Sequence, residues 1–126
     1  MGALSRYRIV IVEDEPDQRS TLAELLARHG YEVGCASNGE EALKLLSRGP
    51  TPHVILLDLS MPVMDGWRFR SELTRYRGLA GIPVVLLSAA DDLNREAAQL
   101  SVERALAKPC SFGAVLQAVR ELTPPA

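Results

Sequence analysis

The stretch Val54-Ile55-Leu56-Leu57-Asp58 is an apolar run that ends abruptly in an acid. Four consecutive aliphatic residues are typical of a strand that is buried on both faces of a sheet. The Pro and Gly residues in the segment that follows, 59–66, predict a loop. Asp58 is therefore expected at the carboxyl end of a central strand, which is the edge where open α/β sheets bind their ligands.

Similar apolar runs recur along the chain and alternate with helical patterns. Strands are predicted at residues 8–12, 31–36, 54–58, 82–88 and 104–108. Helices are predicted to begin near Pro16, Asn38, Trp67, Asp91 and Ser111. Five successive β-α units predict an α/β fold, a doubly wound five-stranded parallel sheet with helices on both faces.

The composition indicates one folded globular domain. The chain has 126 residues, of which 47% are hydrophobic and 24% are charged. The net charge of −2 gives no broad attraction to nucleic acid or to a membrane surface. No apolar run is long enough to cross a bilayer, no signal peptide is evident, and Cys35 and Cys110 are interpreted as reduced thiols. A cytoplasmic location is therefore expected.

Polar residues stand at or just after the ends of four predicted strands: Glu13 and Asp14, Asp58, Ser88, and Lys108. Since the carboxyl ends of parallel strands share one edge, these side chains are expected to cluster. Three neighbouring acids repel one another and need a cation to stay ionised, and Mg²⁺ is the typical hard ion. A hydroxyl and an ammonium group nearby suit a phosphoryl oxygen. The pattern predicts a carboxylate that accepts a phosphoryl group.

Each of these residues also has an ordinary structural interpretation when it is taken alone. Asp14 could cap the first helix, Ser88 could bond the backbone at a strand end, and Lys108 could be a surface lysine. Their joint occurrence beside Asp58 favours the functional interpretation.

The ordered set of motifs resembles the receiver domain of response regulators in two-component signalling. The resemblance rests on Glu13-Asp14, on Asp58 with the loop 59–66, on Ser88, and on Lys108-Pro109, whose peptide bond is usually cis in that family. It implies a flavodoxin-like receiver domain over residues 7–122 and a short tail at 123–126.

The resemblance implies a Mg²⁺ site and a phosphoryl-transfer reaction. Glu13 would hold the ion through water, Asp14 and Asp58 would hold it directly, and the backbone carbonyl of Ser60 would complete the protein ligands. Asp58 would be the nucleophile that takes the phosphoryl group from a phosphohistidine. The donor would be a sensor histidine kinase or a histidine phosphotransfer protein.

The remaining roles that the resemblance implies concern the bound phosphoryl group and the partners. Lys108 would pair with Asp58 before transfer and with a phosphoryl oxygen afterwards, and Ser88 would donate a hydrogen bond to that oxygen. The kinase would dock on the first helix and on the loop after Lys108. A downstream output protein or domain would then read the conformational change.

The sequence departs from the family pattern at three places. Ala105 stands where receiver domains have a switch Tyr or Phe, residues 101–103 replace the usual Gly-Ala, and Cys110 replaces an aromatic residue after Lys108-Pro109. Because an alanine has no ring to flip, we expect the signal to leave through the loop after Ser88 and the fourth helix.

Two other classes of function stay open at the level of sequence. A receiver fold could serve as a binding or dimerisation module without phosphorylation, which the atypical Ala105 would allow. A phosphatase that passes through an aspartyl phosphate would want an Asp two residues after Asp58, where this chain has Ser60. We expect a self-phosphorylating acceptor domain with no outside substrate, and a monomer.

Overall fold

The computed structural model of the chain describes residues 7–58, 66–76, 78–89 and 93–124. In these ranges five strands alternate with five helices. In chain order they are β1 Arg8–Val12, α1 Pro16–Arg28, β2 Glu32–Ala36, α2 Gly39–Arg48, β3 Val54–Asp58, α3 Gly66–Leu73, β4 Val84–Ser88, α4 Leu93–Leu100, β5 Arg104–Ala107 and α5 Phe112–Leu122. None of these helices is both long enough and apolar enough to span a bilayer.

The strands form one parallel sheet in the order β2-β1-β3-β4-β5. This confirms the predicted doubly wound α/β fold. The register pairs Val12 with Leu57, Asp58 with Leu87, and Ser88 with Ala107. The carboxyl ends of β1, β3, β4 and β5 therefore lie side by side.

Two hydrophobic clusters, one on each face of the sheet, hold this edge in place. On β3, Ile55 and Leu57 belong to one cluster and Val54 and Leu56 to the other. All five residues of β3, and all five of β4, are buried. The long aliphatic runs of the sequence reflect this burial on both faces, because a strand with one wet face would alternate instead.

The residues that flank the first helix explain where it begins and ends. Its N-terminal cap is Glu15, whose carboxylate accepts hydrogen bonds from the backbone N–H groups of Asp17 and Gln18. The suggestion that Asp14 caps this helix is wrong, since the residue directly before Pro16 takes that place. Gly30, with φ of 92°, follows the end of α1.

Other boundaries shift slightly from those predicted. Strand β2 begins at Glu32 rather than at residue 31, and β4 begins at Val84, directly after Pro83, which has no N–H for a sheet. Strand β5 ends at Ala107, one residue before Lys108. The predicted start of α4 near Asp91 lies outside the described residues.

The end of α4 shows how the chain manages without the usual glycine. Ser101 adopts a left-handed conformation with φ of 55°. Its N–H donates to the carbonyl of Ala98, and the N–H of Val102 donates to the carbonyl of Ala97. This is the pattern of a Schellman turn, in which glycine is preferred at the left-handed position.

A buried arginine reinforces the same turn from a neighbouring helix. Arg70 of α3 is 7% exposed. Its Nε donates to the carbonyl of Leu100 at 2.9 Å and its Nη2 to the carbonyl of Ser101 at 3.0 Å. These two bonds satisfy carbonyls that the end of a helix leaves without partners, and they tie α3 to α4.

Replacing Ser101 with glycine is expected to stabilise the protein. The left-handed conformation costs a residue with a Cβ about 1 kcal/mol, and glycine avoids this cost. Part of the gain is lost because glycine also increases the conformational entropy of the unfolded chain. Ser101→Gly should therefore raise the free energy of unfolding in urea by roughly 0.5–1 kcal/mol. Ser101→Ala, which keeps the Cβ, should show no such gain, and an equal gain in both variants would contradict the explanation.

Candidate phosphoryl and metal site at the sheet edge

The sheet brings four polar side chains to one edge, as the sequence predicted. Glu13 directly follows β1, Asp58 ends β3, and Ser88 ends β4. Lys108 follows β5, and its backbone N–H donates to the carbonyl of Ser88 at 2.8 Å. Glu13, Asp58 and Ser88 are nearly fully buried, at 2%, 3% and 2% exposure.

Three carboxylates converge at this edge. Glu13, Asp14 and Asp58 each offer an oxygen atom, and these three atoms all lie within 4.8 Å of one another. Asp14 is partly buried, whereas the other two are buried. Hard divalent cations prefer such oxygen ligands. The expected Ser60 carbonyl ligand lies outside the described residues.

Lys108 is the cation that the described residues place among these acids. Its Nζ lies 3.1 Å from Oδ2 of Asp58 and 3.6 Å from Oε1 of Glu13. Burial acts to lower the pKa of Lys108, but the hydrogen bond and the charge of Asp58, with the help of Glu13, outweigh it and raise the pKa above its usual value. Lys108 therefore stays protonated and neutralises only part of the acidic cluster.

Glu13 is the acid of this cluster whose pKa is raised. Burial, followed by the hydrogen bond and the negative charge of Asp58, raises the pKa of Glu13 to about 7. The N–H of Glu15 and the charge of Lys108 oppose this shift without cancelling it. The shift measures how poorly the folded protein alone accommodates a second buried carboxylate beside Asp58.

One oxygen of Glu13 indicates that the acids suit a metal ion. Oε2 accepts a hydrogen bond from the N–H of Glu15 at 3.2 Å. Oε1 is buried and has no hydrogen-bond partner, because Lys108 Nζ stands beyond hydrogen-bonding distance. A buried acceptor without a donor is costly, and a divalent cation would satisfy it. The residues present therefore fit Mg²⁺.

A cavity of about 540 Å³ adjoins the acids, between α1 and the segment that follows β5. Glu13 and Lys108 contribute to its lining, together with Leu22 and Leu25 of α1 and Phe112 of α5. In the sequence, Leu22 and Leu25 recur at helical spacing. Helical spacing identifies an apolar face but does not tell a packed face from one that borders a cavity.

Two further details concern the segment around Lys108. The Lys108–Pro109 peptide bond is cis, as the resemblance implied. Cys35 and Cys110 are both free thiols, in agreement with the sequence prediction.

Comparison with known proteins finds the same fold and the same family. The model of the response regulator receiver domain matches residues 9–120. The chain is 34% identical over 84 residues to Protein PilH of Pseudomonas aeruginosa, which covers 67% of this chain and 69% of PilH. Against several transcriptional regulators the match spans only 34–36% of their length, and against a sensor histidine kinase 11%.

Solved structures agree closely with the fold. The signal receiver domain of a signal transduction histidine kinase from Syntrophus aciditrophicus gives a TM-score of 0.84 at 32% identity, covering 93% of this chain and 89% of that one. The response regulator protein TrrA of Thermotoga maritima, in complex with Mg²⁺ and BeF, gives 0.80 at 30% identity, covering 92% and 98%.

The raised pKa of Glu13 predicts that the metal-free protein loses stability as the pH rises. The ordinary pKa of Glu13 is 4.5 and its folded-state pKa is about 7, so between these values the folded state binds more protons than the unfolded state. The free energy of unfolding should fall across this window and stay low above it. Glu13→Gln should remove this contribution and exceed the wild type by roughly 1–3 kcal/mol at about pH 8.

Urea unfolding in the presence of a chelator, at several pH values, measures this effect. Glu24→Gln is the control, since Glu24 lies on the exposed face of α1 and pairs with Arg28. A variant Glu13→Gln that shows the wild-type pH dependence would contradict the assignment of the effect to Glu13.

Proposed function

This chain belongs to the response regulator receiver domain family, and we propose that it accepts a phosphoryl group from a phosphohistidine onto Asp58 in a Mg²⁺-dependent reaction. The observation that carries the proposal is the arrangement of Asp58 between a lysine ammonium at 3.1 Å and two further carboxylates within 4.8 Å. Receiver domains are signalling modules, so the modified residue belongs to the protein itself. The complex of TrrA with Mg²⁺ and BeF supports a metal requirement.

The metal would be held by residues of three segments. Asp14 and Asp58 would ligate it directly, Glu13 would do so through water, and the carbonyl of Ser60 would complete the protein ligands. When bound, Mg²⁺ supplies positive charge against the phosphoryl oxygens.

Asp58 is the nucleophile of the proposed reaction. One carboxylate oxygen attacks phosphorus while the N–P bond of the phosphohistidine breaks and its electron pair returns to the imidazole ring. The ammonium group of Lys108 lies beside the attacking carboxylate, with its Nζ 3.1 Å from Oδ2 of Asp58. The donor is a sensor histidine kinase or a histidine phosphotransfer protein in the cytoplasm.

Lys108 and Ser88 act on the transferred group. The ammonium group of Lys108 moves its hydrogen bond from the carboxylate to a phosphoryl oxygen, where it offsets the added negative charge. The hydroxyl of Ser88, at the adjacent strand end, donates to another phosphoryl oxygen. This pull acts on the segment after β4, which leads into α4.

The output of the domain leaves through α4 and the segment before it, towards an output protein or domain. Ala105 packs against the hydrophobic cluster that contains Leu86 and Leu100, and it carries no ring that could move between a buried and an exposed position. Arg70 anchors the C-terminal end of α4 to α3 through the carbonyls of Leu100 and Ser101. The N-terminal end of α4 is therefore the part that responds to Ser88.

Phosphorylation of Asp58 is tested by intact-mass measurement after incubation with acetyl phosphate and Mg²⁺. The wild type should gain one phosphoryl group, and the gain should vanish without Mg²⁺. Asp58→Asn should gain none, whereas Glu24→Gln, which changes an exposed acid of α1 that pairs with Arg28, should react like the wild type. A folded wild type that never gains a phosphoryl group from acetyl phosphate or from a phosphohistidine protein would support the binding module instead.

Lys108 is expected to accelerate the transfer of the phosphoryl group to Asp58 rather than to be required for Mg²⁺ binding. Lys108→Met should lower the initial rate of phosphorylation at saturating Mg²⁺ by about a hundredfold, the usual effect of losing one charged donor at a transition state. Lys44→Met is the matched control, because Lys44 pairs with Glu40 on the exposed face of α2. A rate within a factor of about two of the wild type would contradict the role of Lys108.

A further inference from the structure

Glu13 is fixed by hydrogen bonds at three of its four polar atoms. Its N–H donates to the carbonyl of Ala36 at 3.1 Å, and its Oε2 accepts from the N–H of Glu15 at 3.2 Å. Its backbone carbonyl accepts from Nη1 of Arg19 at 2.7 Å. The remaining atom, Oε1, has no hydrogen-bond partner and lies 3.6 Å from Nζ of Lys108.

Arg19 is the one side chain among these three partners. It lies in α1, six residues after Glu13, and it is partly buried. Hydrogen bonds from backbone N–H groups to their carboxylates are the main reason why the pKa values of Glu15 and Glu41 are lowered. The charge of Arg19 contributes to both shifts. Glu15 caps α1, and Glu41 accepts from the N–H of Ser37 just before α2. The charge of the guanidinium group thus acts on two acids that lie near it.

We propose that Arg19 is a positioning residue for the metal site. This inference rests on the proposed function of that site. By holding the carbonyl of Glu13, Arg19 fixes the peptide plane after Glu13 and with it the direction in which the Glu13 side chain leaves the backbone. One carboxylate oxygen of Glu13 lies within 4.8 Å of an oxygen of Asp14 and of an oxygen of Asp58. Arg19 itself does not touch the metal ion.

The charge of Arg19 and its hydrogen bond to Glu13 have opposite effects on Mg²⁺ affinity, so a measurement of that affinity can distinguish them. Arg19 is a cation near a cation site, and removing its charge alone would strengthen Mg²⁺ binding. Removing the hydrogen bond to the Glu13 carbonyl would loosen the carboxylate that is proposed to hold the ion through water, and so would weaken binding. Loss of a residue that orients a metal ligand typically weakens metal affinity tenfold or more.

Calorimetric titration of the protein with MgCl₂ gives the sign. Arg19→Met, which keeps the apolar stem, should raise the Mg²⁺ dissociation constant by about tenfold. Arg19→Lys, which keeps a charged donor, should recover part of the lost affinity. Arg28→Met is the matched control, because Arg28 pairs with Glu24 on the exposed face of the same helix, and it should bind Mg²⁺ like the wild type.

A metal-free measurement supports the titration. Without Mg²⁺, amide exchange at the N–H of Glu15 should speed up in Arg19→Met, because its acceptor Oε2 of Glu13 is no longer held, and should not change in Arg28→Met. Urea unfolding checks that the variants are folded, and Arg19→Gln replaces Arg19→Met if the latter is not.

The outcomes distinguish this inference from the proposed function. Unchanged or stronger Mg²⁺ binding in Arg19→Met, while the wild type binds Mg²⁺, would overturn the positioning role alone. A wild type that binds no Mg²⁺ would contradict the proposed metal site. In that case the exchange rate at Glu15 still decides whether Arg19 orients Glu13, and equal rates in both variants would overturn it.

Discussion

The burial of the Glu13 carboxylate beside that of Asp58, with the repulsion between the two, is the constraint on which the site depends. Both side chains are almost fully buried, and one ammonium group, that of Lys108, lies between them. The pKa of Glu13, which burial and then the hydrogen bond and negative charge of Asp58 raise to about 7, records the imbalance. A divalent cation would remove it, and a phosphoryl group on Asp58 would bring negative charge that the same cations must offset. The instability of the metal-free site and its proposed chemistry thus have one cause.

The sheet makes this repulsion unavoidable. Parallel pairing places the carboxyl ends of β1, β3, β4 and β5 together. Because every residue of β3 and β4 is buried, the last side chains of these strands stay at that edge. The two hydrophobic clusters stabilise the strands independently of the site. Burial of apolar residues, at roughly 25 cal/mol per Å², therefore holds polar groups in a strained arrangement that they would not adopt alone.

Much of this arrangement could be predicted from the sequence, since each functional residue ends or follows an apolar run of unmistakable pattern. The acids, Ser88 and Lys108 fall where such runs predict them to meet. The cap of α1 could not be assigned, because Asp14 and Glu15 are adjacent acids and only the backbone geometry separates their roles. Ser60 lies outside the described residues, and its part in the metal site stays a prediction. The bonds from Arg70 to Ser101 and from Arg19 to Glu13 depend on side-chain reach and tertiary placement, which periodicity does not encode.

The most direct test is the number of protons that leave the protein when Mg²⁺ binds. Calorimetric titration at about pH 7, in two buffers of different ionisation enthalpy, gives that number. Because the pKa of Glu13 is about 7, this carboxyl is partly protonated in the metal-free protein. Mg²⁺ binding should release a fraction of a proton from the wild type and none from Glu13→Gln. Binding without proton release, or the same release from both proteins, would contradict the central role of the Glu13–Asp58 repulsion.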